Sequence, residues 1–241
     1  DHTDFGSAVI ADGTVSRTFT VTNSGNTAMT LGSVSITGTH SADFSVTTDL
    51  PSSLAASNGT TFVVEFDPAA TGTRSATVSF TNSDDDESPF SFAIQGTGTA
   101  PEIGVSGNGV AITDGASSPS LTDHTDFGTN ALGASAISRT YTVTNSGTAT
   151  LTLGTVTTGG THAADFEVTS QPASSLAAGG STTFVVAFSP SATGLRSATV
   201  SFTNNDADEN PFNFSIQGTG YQYPGIGAST GLSSSATLGN T

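Results

Sequence analysis

The chain is one unit written twice, and this limits the folds open to it more than anything else in the sequence. Residues 1–98 realign on residues 123–220 at a constant offset of 122 without a gap. About 62 of the 98 aligned positions are identical, and a period near 120 residues is that of a whole domain rather than of a solenoid turn. Asp1-His2-Thr3-Asp4-Phe5-Gly6 returns as Asp123-His124-Thr125-Asp126-Phe127-Gly128. The reading is a tandem array: one repeat at 1–98, a second at 99–220, and a C-terminal tail at 221–241. Duplication favours a spacer, adhesive or structural role over catalysis, because one active site seldom needs a neighbouring copy. No enzyme activity is expected.

Apolar residues fall in short alternating runs. Ile137, Tyr141 and Val143 alternate with polar residues up to Asn145. Phe184, Val186 and Phe188 share one face, as do Ala198, Val200 and Phe202, and then Phe212, Phe214 and Ile216. Period-2 alternation of this kind predicts half-buried strands. Further strands are expected at Pro101–Val105, Ala149–Thr157 and Asp165–Thr169. Gly, Pro, Asn, Asp and Ser clusters lie between the runs as turn signals. Some seven short strands per repeat, with no helical period, predict an all-β fold of two tandem immunoglobulin-like antiparallel β-sandwiches. Phenylalanine is the main core filler: the chain has 15 Phe and no Trp.

The net charge is −16. Such a surface repels phosphate backbones and excludes nucleic acid as a partner. The basic residues are Arg17, Arg74, Arg139 and Arg196, at matching positions in the two copies. Each is expected to lie across a sheet face and pair with a nearby acid. Cysteine is absent, which excludes disulfides and thiolate metal sites. No apolar run approaches the roughly 18 residues of a membrane span. With Asp rather than Met at residue 1, the chain reads as a mature product or an excerpt of a longer one.

Pro101–Thr122 forms a lead-in to the second copy that the first copy lacks, so the first sandwich is expected to expose a strand edge. The tail begins to repeat that lead-in. Pro224-Gly225-Ile226-Gly227-Ala228-Ser229 parallels Pro101-Glu102-Ile103-Gly104-Val105-Ser106. The tail, with Pro224, Ile226, Ala228, Leu232 and Leu238 as its assembly residues, is therefore a candidate donor strand for the first repeat of another copy.

Arg139–Gly147, Ala164-Asp165-Phe166, Phe188-Ser189-Pro190 and Asn210-Pro211-Phe212 through Gly220 together resemble the bacterial choice-of-anchor D proteins. The modules of those proteins are similar to hydin and abnormal-spindle immunoglobulin-like domains. The resemblance implies a β-sandwich module in secreted or surface-attached bacterial proteins, hence an extracellular or cell-surface location, and it brings no catalytic residues.

The strongest polar constellation is Asp84-Asp85-Asp86-Glu87, matched by Asp206-Ala207-Asp208-Glu209, each in a loop before the last strand. Carboxylates clustered on a loop suit Ca²⁺, which takes six to eight oxygens. Asp84, Asp86, Glu87, Asp206, Asp208 and Glu209 are the candidate ligands, and a solvated turn is the ordinary alternative. No other cofactor is expected. His2, His40, His124 and His162 read as turn residues that bond the backbone, with a metal pair as the rarer alternative. The expected function is a structural subunit of an extracellular fibre or surface array, joined to copies of itself head to tail. The alternative is a tandem stalk or adhesin module of a larger surface protein, stiffened by calcium. The residues name no glycan or cell-surface partner.

Overall fold

The computed structural model describes residues 2–223. In the first repeat β1 is Asp4–Val9, β2 Val15–Thr22, β3 Met29–Thr30, β4 Ser35–Thr37 and β5 Phe44–Thr48. The repeat continues with β6 Ser53–Leu54, β7 Gly59–Phe66, β8 Gly72–Phe80 and β9 Phe90–Thr99. The lead-in supplies β10, Ile103–Gly107, and β11, Val110–Ile112. The second repeat then runs β12 Asp126–Ala131, β13 Ile137–Asn145, β14 Leu151–Thr152, β15 Thr157–Gly159 and β16 Phe166–Ser170. It closes with β17 Ser175–Leu176, β18 Ser181–Phe188, β19 Gly194–Phe202 and β20 Phe212–Tyr221.

Each repeat stacks two sheets. In the first, β1-β9-β8-β4 faces β2-β7-β5; in the second, β12-β20-β19-β15 faces β11-β10-β13-β18-β16. A two-stranded ribbon flanks each sandwich, β3-β6 and β14-β17. Pairing between these strands is antiparallel apart from one edge per repeat, where β1 runs parallel to β9 and β12 to β20; Ala116 adds an isolated parallel bridge to Phe214. That edge escapes the sequence because Asp126–Ala131 has little apolar alternation. Among the described residues only two three-residue helical turns interrupt the strands, at Ser41–Asp43 and Ala163–Asp165. Among the described residues no helix is long and apolar enough to cross a membrane.

Alternation fixes which face is buried. Along β7 the side chains of Phe62, Val64 and Phe66 point inward and those of Thr61 and Glu65 outward, following the two-residue period of a strand. Phe184, Val186 and Phe188 repeat this in β18, and Phe212, Phe214 and Ile216 in β20. Rings from the two sheets interlock. Tyr141 stacks on Phe184 at 5.1 Å between centroids and tilts against Phe214 at 5.3 Å.

Two expected strands differ from the structure. Ala149–Thr157 is broken, because Leu151 pairs with Leu176 in the ribbon whereas Thr157 pairs with Ser201 of β19. The chain changes sheets at Gly154, whose N–H donates to the Thr203 carbonyl at 2.7 Å. Asp165 sits in a helical turn before β16 because its carboxylate is held by the turn between β18 and β19. Its oxygens accept the Ser191 N–H and the Arg196 guanidinium. Asp43 does the same with Ala69 and Arg74.

The arginines therefore divide. Arg74 and Arg196 pair with buried acids as expected. Arg17 and Arg139 have no acid partner among the described residues. The Arg17 guanidinium donates to the Phe5 carbonyl, and the Arg139 Nε is buried without a hydrogen bond.

Candidate functional site

The two repeats differ most at one strand edge. In the second repeat β10 lies antiparallel on β13, with Ile103 opposite Asn145 and Val105 opposite Val143. Its approach is tied down as well: the Ala100 carbonyl accepts the N–H groups of Thr148 and Ala149, and the Glu102 carbonyl accepts that of Ser146 at 2.8 Å. Beyond β11, the Ala116 carbonyl accepts the Ser215 N–H, and Ile112 packs into the core.

The same edge in the first repeat is bare among the described residues. β2 ends its sheet, and Ser24, Asn26 and Thr27, which correspond to Ser146, Thr148 and Ala149, have N–H groups with no described acceptor. Apolar surface opens with it. Tyr141, Val143, Leu151 and Phe214 are at most 0% exposed and Phe212 1%. Their counterparts Phe19, Val21, Met29 and Phe92 are only half-buried, and Phe90 is 44% exposed. A groove of about 470 Å³ runs here, lined by Val21, Asn23, Gly25, Met29, Asp84 and Phe90 among others.

The groove keeps the sequence of an occupied one. A Cβ on Gly147 would sit 2.4 Å from the Ala100 carbonyl and 2.5 Å from the Glu102 nitrogen, so only glycine lets the lead-in pass. Gly25 occupies the corresponding place, where a Cβ would meet only the Asn23 side chain. Asn23 and Asn145 brace the two turns alike, each accepting the N–H two residues on.

The acidic loops border this edge. Asp206 is 3% exposed, and its Oδ2 accepts the Ile103 N–H at 2.7 Å, which anchors the first residue of β10. Asp206 and Glu209 of the expected ligand set meet Glu102, with one oxygen of each within 4.8 Å of the others. Asp208 lies outside this trio. The sequence reading missed Glu102 because it stands more than 100 residues away; its place beside the β10 run was the one signal. One Glu209 oxygen is buried with no hydrogen bond. Burial, followed by the charges of Asp206, Glu102 and Asp208, pushes the Glu209 carboxyl up to about 7.

In the first repeat the loop has the same scaffold, with the Asp84 N–H on Asn82 and the Asn82 amide on the Glu87 carbonyl. Asp84, Asp86 and Glu87 remain exposed, and among the described residues they form no such trio. A hydrogen bond between the Asp84 and Asp86 side chains raises the Asp84 carboxyl above its usual range. His40 and His162 act as turn residues, their Nδ1 atoms accepting the N–H of Ser75 and Ser197 at 3.0 Å. The assembly residues Pro224, Ile226, Ala228, Leu232 and Leu238 lie outside the described residues.

The Glu209 carboxyl makes stability depend on pH. Its folded value lies above the unfolded one, so its contribution is full below about 4.5 and is lost as pH rises through about 7. The second repeat should melt at a higher temperature at pH 5 than at pH 8. Glu209→Gln should reduce that difference and raise the melting point at pH 8. An unchanged difference would remove Glu209 from the account.

Two stacked sheets, a Greek-key order and a disulfide-free aromatic core define an immunoglobulin-like module. The chain belongs to the HYDIN/CFA65/VesB-like Ig-like domain family, whose family model matches residues 1–97 and 120–219. No curated protein matches the sequence. Among solved structures it is similar to the C-terminal domain of the Streptococcus agalactiae AgI/II polypeptide BspA, at 12% identity and TM-score 0.40, covering 88% of this chain and 94% of that one. A protein from Porphyromonas gingivalis W83 shares 16% identity at TM-score 0.34, over 88% of this chain and 93% of that one. The Vibrio cholerae VesB protease shares 18% identity at TM-score 0.31, over 45% of this chain and 31% of the protease.

Proposed function

We propose that this chain is a non-catalytic structural subunit of an extracellular bacterial fibre or surface array. Copies join head to tail when the tail of one enters the first repeat of the next. One observation carries the reading: an edge filled by β10 in the second repeat is, among the described residues, an open groove in the first, with Val21, Met29 and Phe90 part-exposed in it and the N–H groups of Ser24, Asn26 and Thr27 without an acceptor. An open edge is a template for another strand, and adding one satisfies those groups while burying alternate side chains. The tail has the sequence for it, since Ile226 and Ala228 take the places of Ile103 and Val105 two residues apart on one face. The resemblance to choice-of-anchor D proteins supports the bacterial surface setting.

Deleting Pro224–Thr241 tests this and leaves every described strand intact. The full chain should form concentration-dependent linear assemblies by sedimentation and electron microscopy, and the deleted chain should stay monomeric. The same filaments without the tail would refute the reading. A full chain that stays monomeric at high concentration would favour the alternative, a tandem stalk or adhesin module whose groove is filled by a preceding segment of a longer protein.

The calcium reading now narrows to Glu102, Asp206 and Glu209, where an unpartnered oxygen faces two further carboxylates. Three carboxylates supply part of the six to eight oxygens calcium takes. A cation there would tie the lead-in to the loop and stiffen the second repeat. A ligand bound only to the folded state must raise stability. Equal melting temperatures in saturating Ca²⁺ and in chelator at pH 8 would therefore exclude it.

A further inference from the structure

We propose that the groove of the first repeat is selective by charge: its acidic loop admits a strand with no carboxylate just before the first buried residue, which the tail satisfies through Gly225. This rests on the head-to-tail reading and names what the groove requires of its partner. The partner segment is Pro224–Ser229 of a second copy.

The second repeat shows the problem that selectivity solves. Glu102 precedes Ile103 and brings its carboxylate against Asp206 and Glu209. The crowding leaves one Glu209 oxygen buried without a partner. That loop has Ala207 where the first repeat has Asp85, so the loop at Asp84–Glu87 carries one acid more. A strand with glutamate in this position would bring a further negative charge against Asp84 and Glu87, which line the groove. Like charges placed together across an interface oppose association. The tail has glycine there.

The rest of the segment fits the same register. A Cβ on Gly104 would lie 2.9 Å from the Thr144 hydroxyl, which would have to turn away, and the tail supplies Gly227 against Thr22. Asp84 corresponds to Asp206, so it is the carboxylate placed to accept the Ile226 N–H, as Asp206 accepts that of Ile103. Asp84 and Glu87 both line the groove.

The test compares the full chain with its Gly225→Glu and Gly225→Gln variants by sedimentation velocity over a concentration series at pH 8 and low salt. The glutamine variant matches glutamate in size without the charge, and position 225 lies outside the described residues that build both sandwiches. Gly225→Glu should raise the concentration needed for half-assembly by about tenfold or more, the range expected for one repulsive contact. Gly225→Gln should stay within about threefold of the unaltered chain. Equal assembly of the Gly225→Glu and unaltered chains overturns the charge selectivity, while the tail-deletion result still stands or falls by itself. A glutamine variant as weak as the glutamate variant also overturns it, by assigning the effect to size. An unaltered chain that never assembles overturns both this inference and the head-to-tail reading.

Discussion

Asp165→Ala is expected to cost the second repeat about 3–5 kcal/mol, the usual penalty for leaving one partner of a buried ion pair uncompensated. The Asp165 side chain is 2% exposed and that of Arg196 17%. The same carboxylate accepts the Ser191 N–H at 3.1 Å, and the Asp165 carbonyl accepts that of Ser189 at 2.8 Å. Removing it releases a helical turn, the turn between β18 and β19, and the Arg196 head group together. Asp165→Asn should cost less, because its side-chain oxygen can still accept from Ser191. Asp43→Ala should behave alike in the first repeat, where Arg74 and Ala69 are the partners. Urea denaturation followed as two transitions will read these losses separately, since two cores need not unfold as one. A loss below about 1 kcal/mol would place the pair in the class of surface salt bridges.

The two acids also set the acid limit of stability. Burial works to raise both carboxyls, but the arginine and backbone hydrogen bonds with the arginine charges outweigh it and hold both below 3.8. A depressed carboxyl contributes stability that is present above its unfolded value and lost as pH falls through the folded one. Acid unfolding should therefore set in below about pH 4, well clear of the window in which Glu209 acts.

The second large effect is an asymmetry between identical residues. Phe214→Ala should cost about 3–5 kcal/mol, because the ring is 0% exposed and truncation leaves a cavity. Phe92→Ala, its counterpart, should cost about half as much in the isolated monomer, because Phe92 is half-buried and much of its surface already meets water. Assembly should narrow the gap, since an added strand covers Phe92 as the lead-in covers Phe214. Equal costs in the monomer would mean that the bare edge leaves the first core undisturbed.

Much of this fold was legible from pattern. The alternation through Phe184–Phe188 and Phe212–Ile216 marked both strands and their buried faces. Arg74 and Arg196 were readable as acid partners. Less legible were features set by contacts far apart in sequence. Asp126–Ala131 is a strand because β20 offers its edge, not because its residues alternate. Leu151 and Thr157 fall in different sheets although both stand in one expected strand. The acidic loops were plain, but the trio needed Glu102, which the folding of β10 onto β13 brings across. Arg17 and Arg139 misled because a charged residue in an alternating strand says nothing about what lies over it.

The central claim is that the β2 edge is completed by the tail of a second copy, and disulfide trapping tests it most directly. The chain has no cysteine, so introduced thiols can react only with one another. Val105 faces Val143 in the second repeat, and the corresponding pair is Ala228 and Val21. Opposed residues of antiparallel strands lie within the Cα separation a disulfide spans. Oxidising the Val21→Cys, Ala228→Cys double variant should give a ladder of disulfide-linked oligomers on a non-reducing gel. Thr20→Cys with Ala228→Cys, whose side chains would lie on opposite faces, should give far fewer. A disulfide closed within one monomer, or equal ladders from the two pairs, would contradict the account.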